Sequence, residues 1–463
     1  MIALSLAEIA EVTGGEVHGD PDLVVDGAAY VDTRSPVEGG LFVAIVGERT
    51  DGHSYAEGAH AVLGSRPTAA PTVVVADPTA ALGRLARHVV DRLDVTVLAL
   101  TGSQGKTGTK DLLAHVLAQS GPTVATAANN NNELGVPLTV LRADVTTRYL
   151  VLEMGARGIG HIAYLAGIAP PSIAAVLNVG TAHIGEFGGR EAIAEAKGEL
   201  VESLPSDGTA VLNADDTLVA AMATRTDARV LSFGESGDVR WRGSEADDLG
   251  RASFDLGHLG EWAPVRLQQT GARQVLNAAA AAALALAAGL ALDDVAAALS
   301  TATPASRWRM ELTERSDGLL VLNDAYNANP DSMRAALEAL AGLGRSRSGR
   351  TIAVLGEMRE LGGDHDSGHL EVGHAAVHAG IDVVVVVGDG ASGIADGARE
   401  GGCEVIVTAG HYDTAAWVRN NAGADDVVLV KASRAAALEQ VAERVLNDLT
   451  DQSTPSERNP TAP

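Results

Sequence analysis

At 463 residues the chain is long enough for about three domains. Its 46% hydrophobic content includes only 3% aromatics, so the cores are built mostly from Ala, Val and Leu. The formal net charge of -26 argues against a nucleic acid or an anionic membrane surface as partner.

A polyanionic substrate must then be met by local Lys and Arg, metal ions and helix N-termini. The single cysteine, Cys403, leaves no intrachain disulfide framework and fits a reducing compartment. The opening stretch, MIALSLAEIAEVTGG, lacks a basic start and carries Glu8 and Glu11, so no secretory signal is expected. The longest apolar run, residues 275–292, is nearly all alanine and closes on Asp293-Asp294, which predicts a buried helix of a soluble domain rather than a membrane span. A cytoplasmic protein without stable membrane insertion is expected.

In chain order, residues 1–94 predict a first unit of short strands and small helices. A helix starts at Ser5 and ends at Gly14-Gly15; strand-like VVDGAAYVDTR and LFVAIVG follow. Thr33-Arg34 and the turn GERTDGH (47–53) lie at strand ends, where ligand-holding turns and plain turn chemistry are equally good readings. Residues 95–304 predict an α/β unit with a parallel sheet, its strands at VTVLAL, YLVLEMG, IAAVLNVG, TAVLNADD and RVLSFG. A second α/β unit, 305–450, has strands at LLVLND, TIAVLGE, DVVVVVGDG, EVIVTAG and DVVLVKAS, and residues 451–463 read as a disordered tail.

The chain is organised around residues 95–113, VTVLALTGSQGKTGTKDLL. An apolar strand, the loop Thr101-Gly102-Ser103-Gln104-Gly105-Lys106-Thr107 and a helix make a phosphate cradle, in which backbone N–H groups and the helix N-terminus meet the phosphate oxygens. Lys106 would reach the β/γ-phosphates and Thr107 would hold Mg2+. The loop is the shorter T-G-x-x-G-K-T: where the common P-loop has its first glycine, this chain has Leu100.

Glu153 ends an apolar run, where a carboxylate of an open parallel sheet can face the P-loop and share its Mg2+. His183, in NVGTAHIGEFG, is a lone histidine on a loop at the next strand's end. Lys197 has only Ile193, Ala194, Leu200 and Val201 three and four residues away, so no carboxylate of its own helix pairs with it. It must find a partner, lose its proton or snorkel; composition alone favours snorkelling, and a neutral amine there could take up CO2 as a carbamate. Asn277 opens the alanine helix, and Asp324 begins the structured loop Asp-Ala-Tyr-Asn-Ala-Asn-Pro. Arg309 lies just before the second α/β unit, where an arginine could meet a γ-phosphate or form an ion pair. Lys431-Ala432-Ser433-Arg434 follows the last strand as a plausible anion site.

Up to about residue 450 these pieces resemble the Mur ligases, the ATP-dependent amide-forming enzymes of peptidoglycan synthesis. TGSQGKT, Glu153, NVGTAHIGEFG, EAKGE and the helix begun at Asn277 are features of the whole family; NNNNELGVPLTVL (129–141), DAYNANPDSMRAAL (324–337) and GEMRELG (356–362) point to one branch of it. The resemblance implies three domains: a small UDP-binding α/β domain containing DTR and GERTDGH, a central P-loop ATPase-type domain and a C-terminal Rossmann-like domain. It implies UDP-MurNAc-tripeptide as acyl donor, D-alanyl-D-alanine as acceptor, ATP, two Mg2+ and a monomer.

Residue by residue, the resemblance gives Gly102, Ser103, Gln104, Gly105, Lys106 and Thr107 to the ATP phosphates. Thr107 and Glu153 would share one metal, and His183 and a carbamylated Lys197 would serve a second. Asn277, Arg309 and Asp324 would position adenine, γ-phosphate and ribose. Asn327, on the ATP side, and Asn329, on the UDP-substrate side, would line the cleft, with Thr33 and Arg34 near the uridine diphosphate. Lys106, His183, Lys197 and Arg309 form the implied catalytic set. Ala432 stands where the family often has glycine, which weakens the anion role of Lys431 and Arg434. Two competing readings are another Mur-type or folylpolyglutamate-type amide ligase, against which YNANP followed by Ser332-Met333 argues, and a non-catalytic nucleotide-binding regulator, which would have no need for Glu153, His183 and Lys197 together.

Overall fold

The computed structural model describes residues 1–47, 50–180, 189–359 and 361–447. The chain divides into two compact units, Met1–Ser306 and Arg307–Pro463. Among the described residues no helix is long and apolar enough to cross a membrane.

The first unit begins with the helix Leu6–Thr13. Ser5 and Glu8 form a reciprocal capping box at its start, and Gly14, at φ 66°, ends it in the left-handed conformation that glycine adopts without steric cost. Five short strands follow in the spatial order Glu16–His18, Thr72–Val74, Ala61–Gly64, Leu41–Val43, Ala29–Tyr30; the first pair is antiparallel and the others parallel. The helix Pro78–Val90, capped by Asp77, packs its buried face of Leu82, Leu85, Ala86 and Val89 into a core shared with Ile162 and Leu165 further along the chain.

The large sheet of this unit has nine strands. From one edge they run Thr123–Ala125, Tyr149–Glu153, Thr96–Thr101, Ile173–Val176, Thr209–Asn213 and Arg229–Phe233, all parallel, and then Val239–Ala246, Arg251–His258 and Glu261–Thr270, which pair antiparallel among themselves. The strands from Tyr149–Glu153 to Thr209–Asn213 are almost wholly buried because helices cover both faces. The three antiparallel strands extend the sheet beyond the strands expected from the sequence. Their signal is alternation: inward Ala252, Phe254 and Leu256 alternate with more accessible positions, and Leu259-Gly260 (φ 51° and 88°) makes the tight turn of a hairpin. Pro264 lies in the edge strand, where a missing N–H costs no ladder bond.

The alanine run is two helices rather than one. The helix Arg273–Ala287 ends where Gly289, at φ 90°, reverses the chain and Leu290 N–H donates back to Ala285 O; Leu292–Thr301 then starts afresh. Residues 278–285 are fully buried, their small side chains letting the helix lie close against the sheet and the helix Lys106–Ala118.

The second unit holds a six-stranded sheet in the order Glu311–Glu314, Leu320–Asn323, Val427–Lys431, Thr351–Leu355, Val383–Val387, Glu404–Thr408. The five strands expected from apolar runs are all present and parallel. The edge strand Glu311–Glu314, polar and half-buried, was not expected and pairs antiparallel with Leu320–Asn323.

Candidate active site

The strand Thr96–Thr101 lies inside the large sheet, and its loop projects from the carboxyl end of the strands. Gly105 takes φ 79° at the N-cap of the helix Lys106–Ala118; a Cβ there would stand 2.5 Å from Asn277 Oδ1, so backbone conformation and space both require glycine. The loop is fastened from outside. Ser103 N–H donates to Asn178 O (3.1 Å), Gln104 N–H to Asn178 Oδ1 (2.9 Å), and Asn178 Nδ2 returns a bond to Gln104 O (3.1 Å). Gly180 N–H donates to Ser103 Oγ (2.9 Å), and Arg273 Nη1 donates to Gln104 Oε1 (2.8 Å). Asn178 sits within the NVG motif noted in the sequence, but nothing in that motif marks it as the loop's brace. Lys106 folds back so that Nζ donates to Gly102 O at 2.7 Å.

At the helix N-terminus the Thr107 hydroxyl donates to Glu153 Oε2 at 2.9 Å, and both side chains are buried. A hydroxyl and a carboxylate side by side, next to a phosphate cradle, are the hard oxygen donors that Mg2+ takes alongside phosphate and water. Among the described residues no three His, Cys, Asp or Glu side chains cluster as a metal cage. The other Glu153 oxygen, Oε1, accepts from Asn131 Nδ2 at 2.8 Å.

Lys197 lies on the helix Arg190–Glu202 and is only 6% exposed, so it does not snorkel to solvent as composition favoured. Burial pushes its amine well below the ordinary lysine range, and the charge of Lys106 pushes in the same direction. His183 lies outside the described residues.

The Lys197 helix is held on both sides. Glu199 accepts the Gly160 and Ala163 amides (3.0 Å to Ala163), capping the helix His161–Ile168, whose own N-cap residue has no side chain. Arg225 donates to Ala194 O (3.2 Å), Glu195 O (3.1 Å) and Glu202 Oε1 (2.8 Å), and a Cβ on Gly198 would fall on its guanidinium. Gly198→Ala is therefore expected to destabilise by about 1 kcal/mol, because lost guanidinium bonds outweigh the helix-propensity gain. In an Arg225→Ala background the same change should stabilise by about 0.5–1 kcal/mol. Urea unfolding of the four proteins reads the sign reversal; parallel effects in both backgrounds would show that Gly198 does not serve Arg225.

Asn277 lies beside the loop rather than apart from it: its Oδ1 faces Gly105 and accepts weakly from Thr109 (3.5 Å), while its Nδ2 donates to Gln274 Oε1 (2.9 Å). Farther along the first unit's small sheet, Arg34 forks onto Asp32 (2.7 and 2.9 Å) and remains exposed, with Thr33 half-buried beside it. That guanidinium holds the Asp32 carboxyl at about 2. In the GERTDGH turn, Glu48 and Arg49 lie outside the described residues, and Asp51 accepts from Arg66 (2.5 Å) and binds the His53 ring (2.7 Å).

In the second unit, Lys431 is buried and its Nζ bonds Asp324 Oδ2 (2.5 Å) and Asn327 O (2.8 Å), while Met310 N–H donates to Asp324 Oδ1 (3.1 Å). Arg434 pairs with Glu439 (2.6 Å) and lies over Trp308. At the anion site expected at Lys431–Arg434, both cations are paired with carboxylates of this unit. Arg309 stacks on the Tyr326 ring at 4.0 Å. Asn327 Oδ1 accepts from Ala328 N–H (2.9 Å), and Asn329 caps the helix Pro330–Gly344 in a reciprocal pair with Ser332.

A parallel sheet carrying a T-G-x-x-G-K-T loop, a hydroxyl–carboxylate pair at the helix N-terminus and a second sheet unit of Rossmann type define an ATP-using enzyme of the P-loop class. The chain belongs to the Mur ligase family: the Mur ligase middle domain matches residues 100–285, and the Mur ligase, glutamate ligase domain matches residues 308–434. UDP-N-acetylmuramoyl-tripeptide–D-alanyl-D-alanine ligase of Mycobacterium tuberculosis (strain ATCC 25618 / H37Rv) is 45% identical, covering 97% of this chain and 99% of its own. The enzyme of the same name from Escherichia coli K12 is 36% identical over 95% and 98%. A crystal structure of MurF from Acinetobacter baumannii superposes with a TM-score of 0.86 at 32% identity, over 96% of this chain and 99% of that one. The MurF ligase of Thermotoga maritima in complex with ADP superposes at 0.78 with 30% identity, over 90% and 96%.

Proposed function

We propose that the chain joins D-alanyl-D-alanine to UDP-N-acetylmuramoyl-tripeptide at the expense of ATP, forming UDP-MurNAc-pentapeptide for peptidoglycan synthesis. The observation that carries the reading is the Thr107–Glu153 pair, 2.9 Å apart at the foot of the TGSQGKT loop, in a chain akin over nearly its whole length to ligases of that name. The domains are taken as 1–94 for the UDP substrate, 95–304 for ATP, 305–450 for ligation and a tail from 451. The enzyme acts in the cytoplasm as a monomer.

A carboxylate is a poor electrophile, so the tripeptide's terminal carboxylate first attacks the γ-phosphorus, displacing ADP and becoming an acyl phosphate. The amine of D-alanyl-D-alanine then attacks the acyl carbon, phosphate leaves, and the amine gives up its proton. In the first step the loop amides and Lys106 hold the phosphates in line and spread their charge. Thr107 and Glu153 would hold Mg2+, which when bound neutralises the phosphate oxygens. Lys197 as a carbamate, together with His183, would hold a second Mg2+. Asn277, Asp324 and Arg309 serve adenine, ribose and γ-phosphate; Asn327 and Asn329 line the substrate cleft; Thr33 and Arg34 serve the uridine diphosphate.

The test is phosphate release with ATP, Mg2+ and UDP-MurNAc-tripeptide, with and without D-alanyl-D-alanine, products being weighed by mass spectrometry. Release that requires both substrates, with a pentapeptide product, is expected. ATP binding without turnover would overturn the ligase reading in favour of a nucleotide-binding regulator.

A further inference from the structure

We propose that Asn131, seated against Gly155, is a positioning residue that aims the Glu153 carboxylate and thereby sets the site's affinity for a divalent cation; this rests on the reading of Thr107 and Glu153 as the metal pair. A terminal carboxylate torsion is broad, so a buried glutamate is not aimed by its rotamer alone. Here both oxygens are held. Oε2 takes the Thr107 hydroxyl (2.9 Å), Oε1 takes Asn131 Nδ2 (2.8 Å), and the Glu153 backbone N–H donates to Thr126 Oγ1 (3.0 Å). Mg2+ demands near-ideal octahedral geometry, so a ligand pinned through its second oxygen loses less freedom when the ion arrives. An amide suits the task because it donates a hydrogen bond without adding a positive charge that would compete with the cation.

Asn131 is itself fixed by its surroundings. Gly155 N–H donates to Asn131 O at 2.8 Å, and a Cβ on Gly155 would lie 2.8 Å from Asn131 Oδ1 and 3.0 Å from Cγ. Gly155 has no positive φ, so its backbone accepts alanine and the restriction is purely one of space. The neighbouring Asn132 does a different job: its Oδ1 takes the Gly135 N–H (2.9 Å) at the start of the helix Gly135–Val140. Within the NNNN run, one asparagine starts a helix and the one before it faces the metal pair.

The experiment titrates Mg2+ against ADP binding by calorimetry in the full chain, for wild type, Asn131→Ala, Gly155→Ala, the double variant and Glu153→Gln. Asn131→Ala is expected to raise the Mg2+ concentration for half-maximal effect by about tenfold or more, with metal-free ADP affinity held within about twofold. Gly155→Ala, which touches no ligand, should shift it in the same direction, and the double variant should be no worse than Asn131→Ala alone. Should Asn131→Ala fail to fold, Gly155→Ala and Asn131→Ser carry the test. An unchanged Mg2+ dependence in these variants, with Glu153→Gln altering it, overturns the role of Asn131. An unchanged dependence in Glu153→Gln removes the metal pair, and this proposal with it.

Discussion

Lys106→Ala is expected to lower kcat by about a thousandfold or more while the protein stays folded. The lysine begins the helix Lys106–Ala118, is half-buried, and has its Nζ 2.7 Å from Gly102 O. Against a neutral carbonyl, an incoming triphosphate oxygen is by far the better partner for an ammonium, so the bond to Gly102 is one that nucleotide exchanges for a charged contact. Alanine at a helix start costs nothing in propensity. The chain's net charge of -26 gives the site no favourable general field, so each local positive group, Lys106 among them, counts for more. Lys106→Arg should not rescue, since a planar guanidinium fork replaces a compact point charge in a loop fitted around it. Steady-state kinetics with circular-dichroism melting checks both halves; a kcat within tenfold of wild type at unchanged stability would remove Lys106 from phosphoryl transfer.

What the sequence revealed of the site follows distance along the chain. The loop, its helix and the strand before it are contiguous, so glycines, apolar run and helical period all report on one local object. Glu153's place beside the loop was legible because a carboxylate closing an apolar strand of an open parallel sheet can face the loop at the strands' carboxyl ends. Asn131 was not: its bond to Glu153 depends on how a loop folds over a strand end, and four consecutive asparagines give no period that would single one out. Asn178 and Arg225 escaped for the same reason, each reaching far along the chain to bond backbone.

The fold shows the same division. Parallel strands such as Val383–Val387 are apolar on both faces and announce themselves, whereas Arg251–His258 and Glu261–Thr270 are half-exposed and interrupted by glycine and proline. The alanine run misled because composition was uniform across a turn that only Gly289 betrays. For Lys197, apolar neighbours gave the inward face correctly, but composition could not show that the helix is packed too deeply for the amine to reach water.

Lys197→Met is expected to lower turnover by about a hundredfold or more and, in the ligand-free protein, to raise stability at neutral pH. The two effects come from one cause. Desolvation first, and the charge of Lys106 second, drive the folded-state pKa of this lysine well below its ordinary value. The unfolded chain, titrating at about 10.4, then binds more protons than the folded one between the two values. Stability contributed by this group therefore rises with pH across that window, and the penalty is full below the folded-state pKa. Methionine removes both penalty and slope while filling the same space. The same depression favours the neutral, nucleophilic amine, which on the proposed second-metal reading would attack CO2: the N–C bond would form, nitrogen would lose a proton, and a carbamate anion would result. Wild-type activity should fall in CO2-depleted buffer and return with bicarbonate, and 13C-labelled bicarbonate should give a carbamate resonance that Lys197→Met lacks. Urea titrations between pH 6 and 10 on the ligand-free pair read the slope. A variant that gains stability as it loses turnover separates a group kept for chemistry from one kept for packing, whereas full activity in Lys197→Met would end the second-metal role.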